Sequence, residues 1–440
     1  MTEKQTDESE LNAVAVKINS GIKHENPYVY DMLSTYGREV YFSKDGNVKQ
    51  IADAKKYSEE FNATSGFATE HGQPMYLPLL AETLSTYDPA DIFLYSSTLG
   101  TPELRDKWQE KMYIENPSLT GKKTSKPIAT IGLTHGLNLA ANLFVDEGDT
   151  YILPDKQWEN YKMIFSETKK AHMITYPMYD NDFKFNTSAF RETLLSQRDK
   201  KKIIIILNFP NNPTGYTPLA HEADELAAAI KEVADIGVNV VVISDDAYFG
   251  LFYKDSITES LFGRLANIHP RVLAIKVDGA TKEEYTWGFR VGFLTFGINS
   301  DAMNTYLEEK VMGVIRTTIS NGPTPSQTFI LHALKSPELA KQKADKYEIM
   351  HQRANKIDTI LSSGKYDDAW DLYPFNSGYF FAIKVKGVDA DTARIHLLQK
   401  YHVGTIALGN TDLRVAFSRV DIEHLEELIK RLYEGIKDLQ

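Results

Sequence analysis

From about residue 125, short apolar runs alternate with longer amphipathic stretches. The runs are Ile128 to Leu133, Tyr151 to Leu153, Ile203 to Leu207, Val238 to Ile243, Val272 to Val277 and Val291 to Phe296. Ile203-Ile204-Ile205-Ile206-Leu207 has no polar face at all and is bounded by two lysines and Asn208. A strand of that kind must be covered on both sides, as in a parallel sheet flanked by helices. Between the runs lie helical patterns. In His221 to Ile236, Leu226, Ala229, Ile230 and Val233 recur at helical spacing, and Gly237 ends the pattern. Strands alternating with helices predict an α/β unit with a mainly parallel sheet. After about residue 335 the rhythm changes. It gives a long charged helix (Glu338 to Ser363), a strand (Gly378 to Val385), a helix (Ala390 to His402), two short strands and a last helix (Ile422 to Leu439). That order predicts a second, smaller α+β domain.

Composition narrows the functional classes. The 440 residues carry a net charge of −11, opposite in sign to the basic footprint of a nucleic-acid binder or a partner of anionic lipid. There is no cysteine, so no disulfide, thiolate nucleophile or zinc–thiolate site can form. The leading MTEKQTDESELNAV is polar, without a signal core or an arginine-rich transit pattern, and no apolar run approaches membrane-spanning length. These features lead us to expect a cytoplasmic protein with no membrane or nucleic-acid partner. The 11 histidines are scattered without metal-ligand spacing, so no metal site is expected, and His135 reads as structural. No dinucleotide turn, phosphate-binding P-loop, zinc-protease helix or serine elbow is present.

Three segments concentrate unusual chemistry, each at the end of a predicted strand. Phe209-Pro210-Asn211-Asn212-Pro213-Thr214-Gly215 follows the most apolar strand. It makes a rigid turn where ligands of open α/β sheets bind, and Asn212 offers both a donor and an acceptor. Ser244-Asp245-Asp246-Ala247-Tyr248 ends a Val/Ile strand with two carboxylates. Burial there is costly unless each is paired, and a protonated ring nitrogen of a bound cofactor would be a fitting partner. Asp278-Gly279-Ala280-Thr281-Lys282 leads to Trp287-Gly288-Phe289-Arg290-Val291-Gly292. A lysine at the mouth of a buried sheet, near a fixed cation, has two reasons to lose its proton, and a neutral amine is what Schiff-base chemistry requires. Arg290 could clamp a phosphate.

Taken together, NNPTG, then Asp-x-x-Tyr, Thr-Lys and Gly-Phe-Arg-Val-Gly resemble the fold-type-I pyridoxal-phosphate aminotransferases. More narrowly they resemble class I enzymes of the aspartate and aromatic kind, from about Asn62 to the C-terminus. The resemblance implies a large domain with a seven-stranded-type, mainly parallel sheet flanked by helices, plus a smaller α+β domain. It divides the chain into a polar lead (1–20), an N-terminal part of the small domain and arm (21–80), a large cofactor-binding domain (81–335) and the C-terminal part of the small domain (336–440).

Carried over residue by residue, it implies pyridoxal 5′-phosphate joined to Lys282, which then moves the proton. Asp245 would pair with the ring nitrogen, and Tyr248 and Asn212 would bond the ring oxygen. Thr281 and Arg290 would hold the phosphate, together with the Gly132-Leu133-Thr134 turn opening a helix. Trp158, in Trp158-Glu159-Asn160-Tyr161, is similar to the tryptophan that stacks on the ring. Tyr95 resembles a tyrosine reaching the phosphate of a neighbouring subunit, which implies a homodimer with shared sites. Arg414 resembles the arginine for the substrate α-carboxylate, with Gly66 and Asn212 beside it. Arg316, in Ile315-Arg316-Thr317-Thr318-Ile319-Ser320-Asn321, is similar to the arginine that crosses from the other subunit to a side-chain carboxylate.

There are departures. Gly279 stands where the aspartate group usually has serine, and Tyr161 replaces the histidine behind the ring-binding aspartate. Thr317 and Gly322 replace prolines, and Glu283-Glu284 places two acids after the lysine. The expected function is transamination between an L-amino acid (aspartate first, aromatic second) and a 2-oxo acid such as 2-oxoglutarate. The alternatives are β-elimination (C–S lyase), β-decarboxylation or racemisation on the same cofactor, or a non-enzymatic ligand-binding protein.

Overall fold

A computed structural model describes residues 12–25, 33, 38, 47–58, 60–64, 66–83 and 86–440. The apolar runs form a seven-stranded sheet: β1 (Ile128–Ile131), β2 (Thr150–Pro154), β3 (His172–Tyr176), β4 (Lys202–Asn208), β5 (Asn239–Asp245), β6 (Val272–Asp278) and β7 (Val291–Gly297). Their spatial order is β1-β7-β6-β5-β4-β2-β3. β7 runs antiparallel to both neighbours, and the other pairings are parallel.

The all-apolar β4 is covered on both faces. Ile203, Ile205 and Leu207 pack with Leu226, Ala229, Ile230 and Val233 of the helix Ala220–Asp235. Ile204 and Ile206 pack on the other side with Leu137, Ala140 and Ala141 of the helix Gly132–Phe144. Alternate residues of a strand point to opposite faces, so each face needs its own helical layer. Full burial of such side chains contributes about 1.5–3 kcal/mol each, which rules out a polar face here. β3 was not among the predicted strands. It is the edge strand and exposes most of its residues, so it carries no continuous apolar run.

A second, four-stranded antiparallel sheet holds β8 (Trp370–Leu372), β9 (Phe380–Val385), β10 (Ile406–Leu408) and β11 (Asp412–Ala416), in the order β8-β9-β11-β10. The helices Leu339–Leu361, Ala390–Tyr401 and Leu425–Lys437 bury their apolar residues with it. The helix Asn47–Tyr57 docks on this sheet from the other end of the sequence. Gln50 takes a hydrogen bond from the Ala407 N–H (2.6 Å) and gives one to its carbonyl (3.2 Å). Phe61–Asn62 pairs in parallel with Val403–Gly404. No described helix is long and apolar enough to cross a membrane. The carboxyl ends of β4, β5 and β6 open towards the four-stranded sheet, and the pocket described next lies between them.

Candidate active site

A cavity of about 390 Å³ gathers residues from both sheets. Lys282, Asp245, Tyr248, Leu133, Thr134, Trp158, Asn212, Thr281, Arg290, Gly66 and Arg414 all line it. Two sequence candidates lie outside this chain's own pocket. Tyr95 is 92% exposed, and Arg316 is exposed with its Nη1 bonded to Ser320 Oγ at 2.5 Å.

The two carboxylates that end β5 part company. Asp246 turns away from the cavity to the buried Lys276, whose Nζ lies 2.9 Å from it and also bonds Asp278. Asp278 in turn accepts from Trp108 Nε1 at 3.0 Å. Asp245 faces the cavity. Its Oδ2 accepts from Tyr161 Oη at 2.5 Å and its Oδ1 from the Ala247 N–H at 3.1 Å. Burial pushes the Asp245 carboxyl up, while Tyr161 and the Lys282 charge pull it back. A cationic ring nitrogen would supply the counter-charge that burial makes scarce.

Lys282 follows the short turn after β6, with Nζ 4.9 Å from the centre of the Tyr248 ring. Burial lowers its pKa to about 8; Asp245 opposes the shift and Arg290 adds to it. Both causes named from the sequence, desolvation and a nearby cation, are therefore present. Tyr248 is held edge-on by Tyr379 and Phe380, and burial pushes its phenol up, so it stays a protonated donor.

One end of the cavity is shaped for an anion. The helix Gly132–Phe144 begins there with Leu133 and Thr134, whose backbone N–H groups are unused by the helix. Gly132 has φ +71, and a Cβ on it would lie 2.5 Å from Arg290 Nη2. Only glycine lets the guanidinium approach this turn. Thr281 Oγ1 is buried nearby with no hydrogen-bond partner among the described residues. The departure at Gly279 has a steric cause. A Cβ there would sit 2.6 Å from both Gly292 Cα and the Val291 carbonyl oxygen, so β6 and β7 leave no room for serine.

The other end holds Arg414 from β11. Its Nη1 donates to Asn212 Oδ1 (2.9 Å), its Nη2 to the Thr64 carbonyl (2.7 Å), and its guanidinium lies 4.3 Å over the Phe380 ring. Both acceptors are neutral, and among the described residues Nε has no partner. Burial lowers its pKa to about 10, and a carboxylate would supply the counter-charge that the described residues around it lack. Asn212 is itself fixed by its N–H to Asn208 Oδ1 (2.8 Å), and Asn208 reaches the Asp245 carbonyl (3.0 Å). Trp158 forms one wall and meets Tyr161 edge-on at 5.5 Å.

Glu283 and Glu284 leave the cavity for a buried charge cluster. Glu283 pairs with Lys111 and with Lys343 (3.2 Å), and Glu284 with Lys343 (3.1 Å). Burial works against both carboxylates. The two lysines nevertheless hold Glu283 well down, whereas Glu284 is pushed up by burial and by Glu283. The acids therefore do not compete for the anion end. His135 is structural: its Nδ1 accepts from the Ile131 N–H at 3.0 Å. The sequence reading did not single out Ile51, Thr64, Phe380 or Trp287 as lining residues. Trp287 lies inside the Lys282–Arg290 segment and could have been found there, whereas Ile51 and Phe380 carry no local signal.

Known proteins share the sequence pattern and the fold. The aspartate aminotransferase of Bacillus sp. (strain YM-2) is 26% identical over 251 residues, covering 56% of this chain; the match spans only 57% of that protein's length. The cytoplasmic aspartate aminotransferase of Caenorhabditis elegans is 23% identical over 389 residues, 86% of this chain and 92% of that one. Among solved structures, an aminotransferase from Anaerococcus prevotii superposes with a TM-score of 0.81 at 24% identity (92% of this chain, 98% of that one). Pyrococcus horikoshii kynurenine aminotransferase, solved with PMP, gives 0.77 at 18% identity (93% and 98%). The architecture is that of fold type I, and the family described as "Aminotransferase class I and II" matches residues 67–432, so the chain belongs to the class I and II aminotransferases.

Proposed function

We propose that this chain is a pyridoxal 5′-phosphate-dependent aminotransferase. It would take the amino group of an L-amino acid, aspartate before an aromatic one, and pass it to a 2-oxo acid such as 2-oxoglutarate. The observation that carries the reading is that Lys282 and Asp245 line one cavity. A buried amine with its pKa lowered to about 8 faces a buried carboxylate that lacks a full counter-charge, between an anion turn and an unpaired arginine.

When bound, the cofactor supplies an aldehyde to capture an amine and a ring that accepts electrons. The chain's residues supply the rest. Lys282, neutral at mildly alkaline pH, provides the nucleophile and afterwards takes and returns the substrate's α-proton at Nζ. Asp245, held by Tyr161, keeps a positive charge on the ring nitrogen. Asn212 spends its Oδ1 on Arg414, which leaves its amide N–H groups and the Tyr248 hydroxyl to bond the ring oxygen. Trp158 would cover one ring face, and Leu133, Thr134, Thr281 and Arg290 would hold the phosphate. Three of the five Arg414 N–H donors remain for the α-carboxylate, with the Gly66 N–H beside them.

The dimer is part of the reading. Phe93 (81% exposed), Leu94 and Tyr95 form one exposed apolar run, as a partner contact would. Tyr95 and Arg316 would complete the partner's pocket, Tyr95 at the phosphate and Arg316 at a side-chain carboxylate. That arginine is the ground for ranking aspartate first. Borohydride reduction of the cofactor-loaded protein, followed by peptide mapping, should label Lys282. A donor screen with 2-oxoglutarate should show glutamate formation. Failure of both overturns the proposal, and pyruvate released without any oxo-acid acceptor would assign lyase chemistry instead.

A further inference from the structure

A second, larger cavity, about 690 Å³, backs onto the pocket described above. Residues adjacent in sequence line the two cavities. Gln50, Gln157, Glu159 and Pro213 line the outer cavity, while their neighbours Ile51, Trp158, Asn160 and Asn212 line the inner one. Beside this boundary a partly buried ion pair joins the two sheets. Lys156, in the loop after β2, places Nζ 2.7 Å from Asp412 Oδ2 on β11, with side-chain exposures of 17% and 3%. Asp412 Oδ1 also accepts from Tyr373 Oη (3.1 Å) and Thr411 Oγ1 (3.0 Å), and Lys156 Nζ lies 5.1 Å over the Tyr373 ring. Asp155 Oδ2 is 3.3 Å from Lys156. The Lys156 carbonyl accepts from Asn211 Nδ2 (3.2 Å), tying the same residue to the NNPTG turn.

The spacing matters. Asp412 is two residues before Arg414 on one strand, so both side chains share a face. Lys156 is two residues before Trp158. One ion pair thus ties the strand carrying Arg414 to the segment carrying Trp158 and to the turn carrying Asn212. Whether exposed or buried, an ion pair adds little net stability over an apolar pair of the same size, so its geometry is what it has to offer.

We infer that Lys156 and Asp412 are a positioning pair that holds Arg414 in register with Trp158 and Asn212, acting on substrate binding rather than on proton transfer. The inference rests on the reading under Proposed function. Its test uses the full chain with four variants: Lys156→Met, Asp412→Asn, the apolar double Lys156→Met/Asp412→Leu, and the reversed double Lys156→Asp/Asp412→Lys. The readouts are KM and kcat for the amino donor, cofactor affinity from absorbance titration, and the thermal midpoint of the cofactor-free protein.

In either single variant and in the apolar double, KM should rise about tenfold, the size of a coupling residue's effect, with kcat nearly unchanged. The apolar double should keep the wild-type thermal midpoint, and it stands in for the singles if they fail to fold. The reversed double should recover most of the lost affinity. The inference is overturned if KM is unchanged, if KM and kcat worsen only in step with the thermal midpoint, or if reversal recovers nothing. A wild-type chain that neither takes up the cofactor nor transaminates overturns the functional proposal, and this inference with it. A working wild type with indifferent variants overturns the inference alone.

Discussion

Tyr161 donates its hydroxyl to Oδ2 of Asp245 across 2.5 Å, both groups being buried beneath the pocket. A phenol therefore stands where the resemblance expects a histidine. The bond favours the charged carboxylate, opposing the burial that pushes Asp245 up. Tyr161→Phe should therefore raise the Asp245 pKa further and weaken cofactor binding. A hydrogen bond to a charged group contributes about 1.5–3 kcal/mol, so affinity should fall roughly ten- to a hundredfold. Absorbance titration of the cofactor-free protein measures this. Tyr161→His, which restores a donor, should recover part of the loss.

The Lys282 amine gives a pH signature. With a pKa near 8 in the folded chain against 10.5 for an ordinary lysine, it is neutral over the interval where a free lysine is charged. Covalent capture of the aldehyde needs the neutral amine, so its rate should rise with pH and level off above about 8. The unfolded chain binds the extra proton between these two values, so this group makes the cofactor-free protein more stable as pH rises from about 8 to 10.5. The contribution is about 3 kcal/mol at most. Denaturant titrations of wild type and Lys282→Met should show that slope in the first and not in the second.

Arg414 should show function and stability pulling in opposite directions. Its guanidinium is buried against neutral acceptors and one aromatic ring, without a carboxylate. Arg414→Met removes that uncompensated charge, so the thermal midpoint of the cofactor-free protein should hold or rise. The same change should lower kcat/KM about a hundredfold or more, since losing one partner of a buried charge pair costs about 2–5 kcal/mol.

Gly279→Ser tests whether the missing serine is a gap or a fit. The neighbouring backbone leaves no space for a Cβ. The substitution should therefore destabilise the protein, by about 1–3 kcal/mol as for other overpacked sites, and should not tighten cofactor binding. Thermal unfolding with and without cofactor separates the two effects.

Most of the large sheet was legible in the chain because Ile203–Leu207 and its neighbours admit only a doubly covered strand. The site was legible because its residues cluster at strand ends: Asn212 after β4, Asp245 at the end of β5, Lys282 after β6. What could not be read depends on distance in sequence. β3 is an exposed edge, and β8 is three residues long. That Asp246 answers to Lys276, Glu283 to Lys111, and Lys156 to Asp412 follows from tertiary packing across 30, 172 and 256 positions. Such pairs leave no periodic trace, so charge at a strand end signals only that some partner must exist.

Arg316 supplies the sharpest test of the shared-site reading, because it needs no knowledge of the interface geometry. If it serves the partner's pocket, Arg316→Ala alone should lose activity towards aspartate far more than towards an aromatic donor. Loss of a buried charge-paired arginine costs about 2–5 kcal/mol, or roughly two orders of magnitude in kcat/KM for aspartate. Lys282→Ala should lose activity towards both. In a hybrid dimer of one Lys282→Ala chain and one Arg316→Ala chain, the pocket with the intact lysine receives the intact arginine from its partner. Mixing the two proteins, each deficient towards aspartate, under conditions that exchange subunits should therefore restore aspartate activity, to about half that of wild type in each hybrid dimer. If Arg316 instead acted within its own chain, the hybrid would have no pocket with both groups. Mixing would then give no gain in aspartate activity, and the shared-site reading would fall; the ranking of aspartate falls only if Arg316→Ala leaves aspartate activity untouched.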